Sequence, residues 1–168
     1  MRFAPAAAAL SLALAMTSSM SWAGQREPAP RAAVLITEGQ AALSQGDTQG
    51  AIDAYEAALA LDPGYTPIFL RLAEAARAER LQGKAIRYYR EALVRDPRNL
   101  AAIAGEGEAL VEKGAVEKAK GNLAKLESLC GSNCAETRTL SARIAAGPPP
   151  RVQTAEAVLP DATTPQAN

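Results

Sequence analysis

Apolar and polar residues alternate along most of the chain with the period of an amphipathic helix, and one stretch of that pattern is written twice. Residues 51–63 read AIDAYEAALALDP and residues 85–97 read AIRYYREALVRDP. Ala51, Ile52, Tyr55, Ala58, Leu59, Asp62 and Pro63 thus recur 34 residues later as Ala85, Ile86, Tyr89, Ala92, Leu93, Asp96 and Pro97. The first five fall at i, i+1, i+4, i+7 and i+8, which is one apolar stripe on a helix. Asp-Pro then ends it, because proline cannot continue a helix and pushes the residue before it out of the helical region. A second helical segment precedes each copy, Ala32–Gln45 and Pro67–Arg80, with polar breaks at Gly46-Asp47 and Gln82-Gly83. The unit is helix, tight turn, helix, proline. Neither pair can bury its apolar face alone, so successive pairs must stack.

These residues resemble the tetratricopeptide repeat (TPR). Ala51, Tyr55 and Ala58, and again Ala85, Tyr89 and Ala92, stand at the family's small, aromatic and small positions of the second helix. Gly39 in the first copy, and Leu72 with Ala73 in the second, match the first helix. A third copy is weaker: Gly107 and Ala119 match, but Leu123 and Leu126 replace Tyr and Ala, and Gly131 stands where Pro is usual. Leu35 also replaces the usual Trp. The resemblance covers Ala32 to about Asn133. It implies an all-α, right-handed helix-turn-helix solenoid of three repeats, 32–65, 66–99 and 100–133, in which the tyrosines fill the space between neighbouring pairs. A generic helical bundle is the alternative to it.

The flanks read differently. Arg2, the apolar run Ala6–Met16 and the small residues around Trp22 in Ser21-Trp22-Ala23 have the form of a secretory signal cleaved after Ala23. An additional buried N-terminal helix is the competing reading. Residues 24–31 form a short linker with a polar, Pro-bearing stretch at Gln25–Pro30. Residues 134–146 are expected to form a helix that caps the solenoid, with Leu140 and Ile144 inward and Asn133 and Glu136 as an N-terminal capping pair. From Gly147 to Asn168 prolines and polar residues without periodicity predict a disordered tail.

Composition narrows the chemistry. There is no histidine, and no nucleophile elbow, phosphate loop or metal motif, so no catalytic residues and no cofactor are expected. After cleavage the chain would carry 17 basic and 18 acidic side chains, which does not point to nucleic acid or an anionic membrane. No apolar run remains that could span a bilayer. No Asn-x-Ser/Thr sequon occurs either, in keeping with a bacterial exported protein. Gly105-Glu106-Gly107 lacks a glycine-rich loop around it and reads as close helix packing. Cys130 and Cys134, on either side of Gly131-Ser132-Asn133, suggest a disulfide in an exported chain, at the joint between the last repeat and the cap. A thiol redox or metal site on the same pair is the alternative, and free thiols are a third.

Charge changes sign along the repeats. The first has five acidic residues and no basic one, the second eight basic and four acidic, the third four basic and five acidic. Such blocks could steer a partner of matching pattern, or lie on solvated faces. The TPR resemblance further implies a concave groove built by the first helix of each pair. It names Ile36, Thr37, Gln40, Leu43 and Ser44, then Leu70, Arg71, Glu74, Arg77 and Ala78, then Ala104, Gly105, Glu108, Val111 and Glu112. The subset of the family that binds chaperone C-termini has Lys and Asn where this chain has Ile36 and Gln40, so that activity is not implied. The expectation is a periplasmic scaffold that holds a peptide or protein in this groove and helps assemble a cell-envelope complex. Alternatives are a thiol-based protein using Cys130 and Cys134, and self-association through an exposed repeat face.

Overall fold

The computed structural model describes residues 26–150; the expected signal segment and the tail beyond Pro150 lie outside them. The described residues form seven helices: α1 (Pro30–Ser44), α2 (Thr48–Leu61), α3 (Pro67–Ala78), α4 (Gln82–Arg95), α5 (Leu100–Glu112), α6 (Val116–Cys130) and α7 (Ala135–Ala146). There is no strand among the described residues, and no helix there is long and apolar enough to cross a membrane. The fold is an all-α helical repeat.

Local chemistry sets the ends of these helices. Pro30 and Pro67 open α1 and α3, where the missing N–H would be unpaired in any case. Asp47 and Asn99 cap α2 and α5 by accepting from the N–H of Gly50 and Ala102, each at 2.9 Å. Helices α2 and α4 stop before Asp62 and Asp96, as the Asp-Pro pairs require. The turn inside each pair carries one left-handed residue, and these fall on the same 34-residue period: Gly46 (φ 83°), Arg80 (φ 58°) and Gly114 (φ 86°). The second turn is therefore made by Arg80, and Gln82-Gly83, expected to be the break, belongs to the first turn of α4.

The expected capping pair of α7 is corrected too. Cys134, in extended backbone, is the N-cap, and no side chain caps the helix. The buried Thr137 hydroxyl turns back to donate to the carbonyl of Gly131 at 2.9 Å. That bond fixes the chain's entry into α7 one residue later than an Asn133 cap would.

Helices pair in order, α1 on α2, α3 on α4 and α5 on α6, and each second helix packs on the next first helix. Along the inner row α3 also packs on α5 and α5 on α7, whereas long side chains bridge the outer row. Closer approach on one side bends the stack, and the first helices line the inside of the bend. One continuous core runs from Ala32 to Ala119, and a second cluster of Ile103, Ala104, Leu126 and Leu140 joins the third pair to α7.

The repeated tyrosines are buried where helices cross closely. The Tyr55 ring lies on Gly39: a β-carbon there would come within 2.5 Å of it. Tyr89 lies on Gly105 of the next repeat, where a β-carbon would approach its Cζ to 2.3 Å. Gly107 admits Leu140 of α7 in the same way. Both tyrosines are needed to fill the gaps that the small residues leave.

The segment before α1 is tied down by one carboxylate. Asp62 is buried, accepts from the Ala29 N–H at 2.9 Å and pairs with Arg26 at 2.9 Å. The Ala29 amide holds the carboxyl below its ordinary value of 3.8, burial opposes this, and Arg26 adds to the lowering.

Two tests follow from this packing. Tyr89→Ala should cost about 3–5 kcal/mol in urea unfolding, as other large core truncations do, and Gly105→Ala about 1–3 kcal/mol by overpacking. Unchanged midpoints would disprove the Tyr–Gly crossing. The Asp62 carboxyl is depressed on folding, so its contribution is present above the unfolded value and lost as pH falls through the folded one. Amide exchange at Ala29, corrected for intrinsic rate, should lose protection below about pH 4, and Asp62→Asn should lose it already at neutral pH. Protection that persists in Asp62→Asn would show that the carboxylate is not the tether.

Candidate binding groove

The inner face is built from α1, α3, α5 and α7, and its character changes along its length. On α1, Ile36 and Leu43 are half-buried apolar residues, flanked by exposed Thr37, Gln40 and Ser44. On α3, half-buried Leu70 continues the apolar strip beside exposed Arg71, Glu74 and Ala78. Arg71 and Glu74 pair at 3.3 Å with both side chains nearly half exposed, so that contact contributes little to stability.

On α5 the expected lining is only partly present. Val111 is fully buried in the core, and Ala104 and Gly105 are buried beneath the surface. Its apolar side chain belongs to the main core and is covered rather than offered to a ligand. Glu108 and Glu112 do reach the groove, and both are engaged with Arg77. The Arg77 Nη2 donates to Glu108 Oε2 at 2.8 Å, and its Nε donates to Glu112 Oε2 at 3.2 Å. These three side chains are 19%, 16% and 16% exposed, so water screens the cluster weakly. Burial opposes the guanidinium charge, but Glu112 and its neighbours outweigh it and raise the pKa further above its ordinary value. Arg77 is thus a fixed clamp between the second and third repeats.

Besides a cavity of about 480 Å³ lined by Leu70, Arg71, Glu74 and Arg26, two open on either side of the clamp. One of about 260 Å³ is lined by Glu74, Arg77, Tyr89, Gly105, Glu108 and, from α7, Glu136 and Thr139. The other, about 890 Å³, is lined by Arg77, Arg80, Gln82, Glu112, Arg143 and Pro148–Pro150. Burial raises the Tyr89 phenol above its ordinary pKa, and Arg77 opposes the shift. Burial also raises Tyr55, whose hydroxyl is enclosed without a hydrogen-bond partner.

Sequence reasoning missed the part that α7 plays. Expected only to cap the stack, it supplies Ala135, Glu136, Thr139, Arg143 and Ala146 to the groove wall. A signal for this was present: Leu140 lies two 34-residue periods after Leu72, and both are fully buried. Helix α7 therefore takes the place of the first helix of a fourth pair.

Cys130 and Cys134 lie outside the groove, at the joint of α6 and α7. The structure joins their sulfurs (S–S 2.03 Å, Cα–Cα 5.9 Å). The Glu136 carboxylate is within 4.8 Å of both. Joined in this way, the sulfurs offer no thiolate to a metal.

Some of the opposite charges of successive repeats pair across the junctions. Glu56 of the first repeat pairs with Lys84 of the second at 2.9 Å and accepts from the Tyr88 hydroxyl at 2.7 Å. Arg90 of the second pairs with Glu106 of the third at 2.7 Å. Glu106 also accepts from Asn122 at 3.1 Å. With Arg77, these contacts bridge every junction between repeats.

A bent stack of helix pairs with a mixed polar and apolar inner face is the architecture of a helical-repeat protein. More specifically, the chain belongs to the tetratricopeptide repeat family: that family's sequence profile matches residues 2–66 and 36–99, together more than half of its length. No curated protein matches the sequence. Among solved structures it is similar to the TPR domain of Sgt2 from Aspergillus fumigatus, with 26% identity over 76% of this chain and 91% of that one, TM-score 0.64. The first TPR domain of Spaghetti (RPAP3), bound to the HSP90 peptide SRMEEVD, is similar at 23% identity, 69% and 94% coverage and TM-score 0.61. So is the Yersinia enterocolitica type III secretion chaperone SycD in complex with a peptide of the translocator YopD, at 24% identity, 68% and 86% coverage and TM-score 0.59.

The clamp can be tested by removing its cation. Arg77→Ala leaves two half-buried carboxylates facing each other and should cost about 2–4 kcal/mol at neutral pH. Removing the carboxylates as well, in Arg77→Ala/Glu108→Gln/Glu112→Gln, should recover part of that loss. A loss that the triple variant does not reduce would mean that lost packing, rather than charge, is the cause.

Proposed function

We propose that this protein is an interaction scaffold that holds a peptide or protein segment on the inner face of α1, α3, α5 and α7. The observation that carries the reading is the groove itself: a half-buried apolar strip at Ile36, Leu43 and Leu70, one cavity lined by Leu70, Arg71 and Glu74, and two more beside Arg77. Half-buried apolar side chains with polar neighbours offer a partner both contact area and orientation. Ile36, Gln40, Leu43, Leu70, Arg71 and Glu74 are the residues we assign to direct contact, with Arg77 and Glu108 as the fixed floor. Similar structures hold peptides of HSP90 and of YopD, and the proposal takes from them the mode of binding and not the ligand. Nothing in the arrangement brings a nucleophile and a base together, and the reading assigns no reaction.

The proposal extends to where the protein works. The apolar run Ala6–Met16 and the small residues around Trp22 support export with cleavage after Ala23. We place the mature chain in a bacterial periplasm, where the Cys130–Cys134 bridge would persist, and its role in assembling an envelope complex.

A photo-crosslinking residue at Leu70 in the full chain, expressed in its own cells, should give one recurrent adduct. The same residue at Val94, which is 77% exposed on the outer face, should not give it. Adducts from Val94 alone would move the binding surface to the outside of the solenoid. The purified protein should begin at Gly24 by mass spectrometry, and an intact Met1 would overturn the export reading.

A further inference from the structure

The groove is electrically polarised along its helices, and α7 is what makes it so. The cavity on one side of the Arg77 clamp is lined by Glu74, Glu108 and Glu136, of which Glu74 pairs with Arg71 and Glu108 with Arg77. The cavity on the other side is walled by the guanidinium groups of Arg80 and Arg143. Arg77 stands between them paired with both Glu108 and Glu112, which leaves that cluster with one negative charge in excess. Glu136, Arg80 and Arg143 form no ion pair among the described residues. Glu136 and Arg143 are seven residues apart on one helix, about 10 Å at 1.5 Å per residue.

We propose that the occupant of this groove is a protein segment carrying one basic and one acidic side chain about 10 Å apart. The basic group would be set against Glu136 and Glu74, and the acidic group against Arg143 and Arg80. At roughly 3.1 Å per residue and three residues per turn, that separation is three positions in a polyproline-type extended segment, which keeps both side chains on one face, or about seven in a helical one. This inference rests on the groove reading above and adds to it the chemistry of the partner.

The probe is an array of twelve-residue peptides on an Ala/Ser background, each with one Lys and one Glu at separations of one to eight and in both orders. Binding of the labelled full chain should peak at a separation of three or of seven, about fivefold to tenfold above the others. Glu136→Lys should abolish that peak, and Glu136→Lys/Arg143→Glu should restore it with the order of charges reversed. Reversing these charges also works against the α7 dipole, so binding is compared at a temperature where melting curves show each variant fully folded. Binding that ignores separation, or survives Glu136→Lys, would overturn the inference and leave the groove reading standing. Competition by a peptide of residues 151–168 that erases the peak would make the chain's own tail the occupant, and would overturn it as well. No binding by any peptide would overturn the inference, and only the further absence of the Leu70 adduct would remove the groove reading with it.

Discussion

The fold depends on a tyrosine ring lying flat against a glycine where two helices cross. At Gly39 and at Gly105 there is no room for one more carbon, and at both places the atom in the way belongs to the tyrosine of the 34-residue motif. Those contacts decide how close α2 comes to α1 and α4 to α5, and so the spacing within the first pair and between the second and third. Wider crossings would leave the rings half-solvated, and the apolar strip of Ile36, Leu43 and Leu70 would flatten into an ordinary surface. The groove follows from a packing constraint that lies beneath it.

Charge then fixes what packing leaves free. Apolar contacts are non-directional and would tolerate one repeat sliding on the next. Glu56 with Lys84 and Tyr88, Arg90 with Glu106, and Arg77 with Glu108 and Glu112 tie each junction at defined atoms. The exposed members of these pairs add little free energy. The Arg77 cluster is different, because three weakly hydrated charges are satisfied only when both repeats are in register. The change of sign from one repeat to the next along the chain is the sequence trace of this arrangement.

How much of this could be read from the sequence divides along physical lines. Helix pairs, their proline stops and the buried tyrosines follow from periodicity, which repeats and therefore stands out. Gly105 and Gly107 were legible as packing residues because nothing else explained them. The α7 start was not legible: an Asn–Glu spacing suits a capping box, but a buried threonine bonding back to Gly131 overrides it. Val111 was misplaced because counting from a repeat assigns a residue to a face of its helix, and says nothing about whether a neighbouring helix covers that face. Charge pairing between repeats needed coordinates as well. Opposite charges 31 or 35 residues apart, like Arg77 with Glu108 and Glu112, look like any others until the stack brings them together.

The end of the solenoid shows how a structural need can be turned to binding. A stack of helix pairs must be closed by an element that is apolar inward and polar outward. Helix α7 meets this by placing Leu140 against Gly107 and Thr137 beneath the joint, which leaves its remaining faces free. One of those faces turns toward the groove, and there the chain has a carboxylate in the first turn and a guanidinium in the last. That order also suits the helix's own dipole, negative side chain at the N-terminus and positive at the C-terminus. The same two residues that settle α7 as a helix thus give the groove its poles. Ala135 and Ala146 on that face favour the helix and are also small enough to leave the groove wall low. Closure of the stack and polarity of the groove are therefore two consequences of one amphipathic helix.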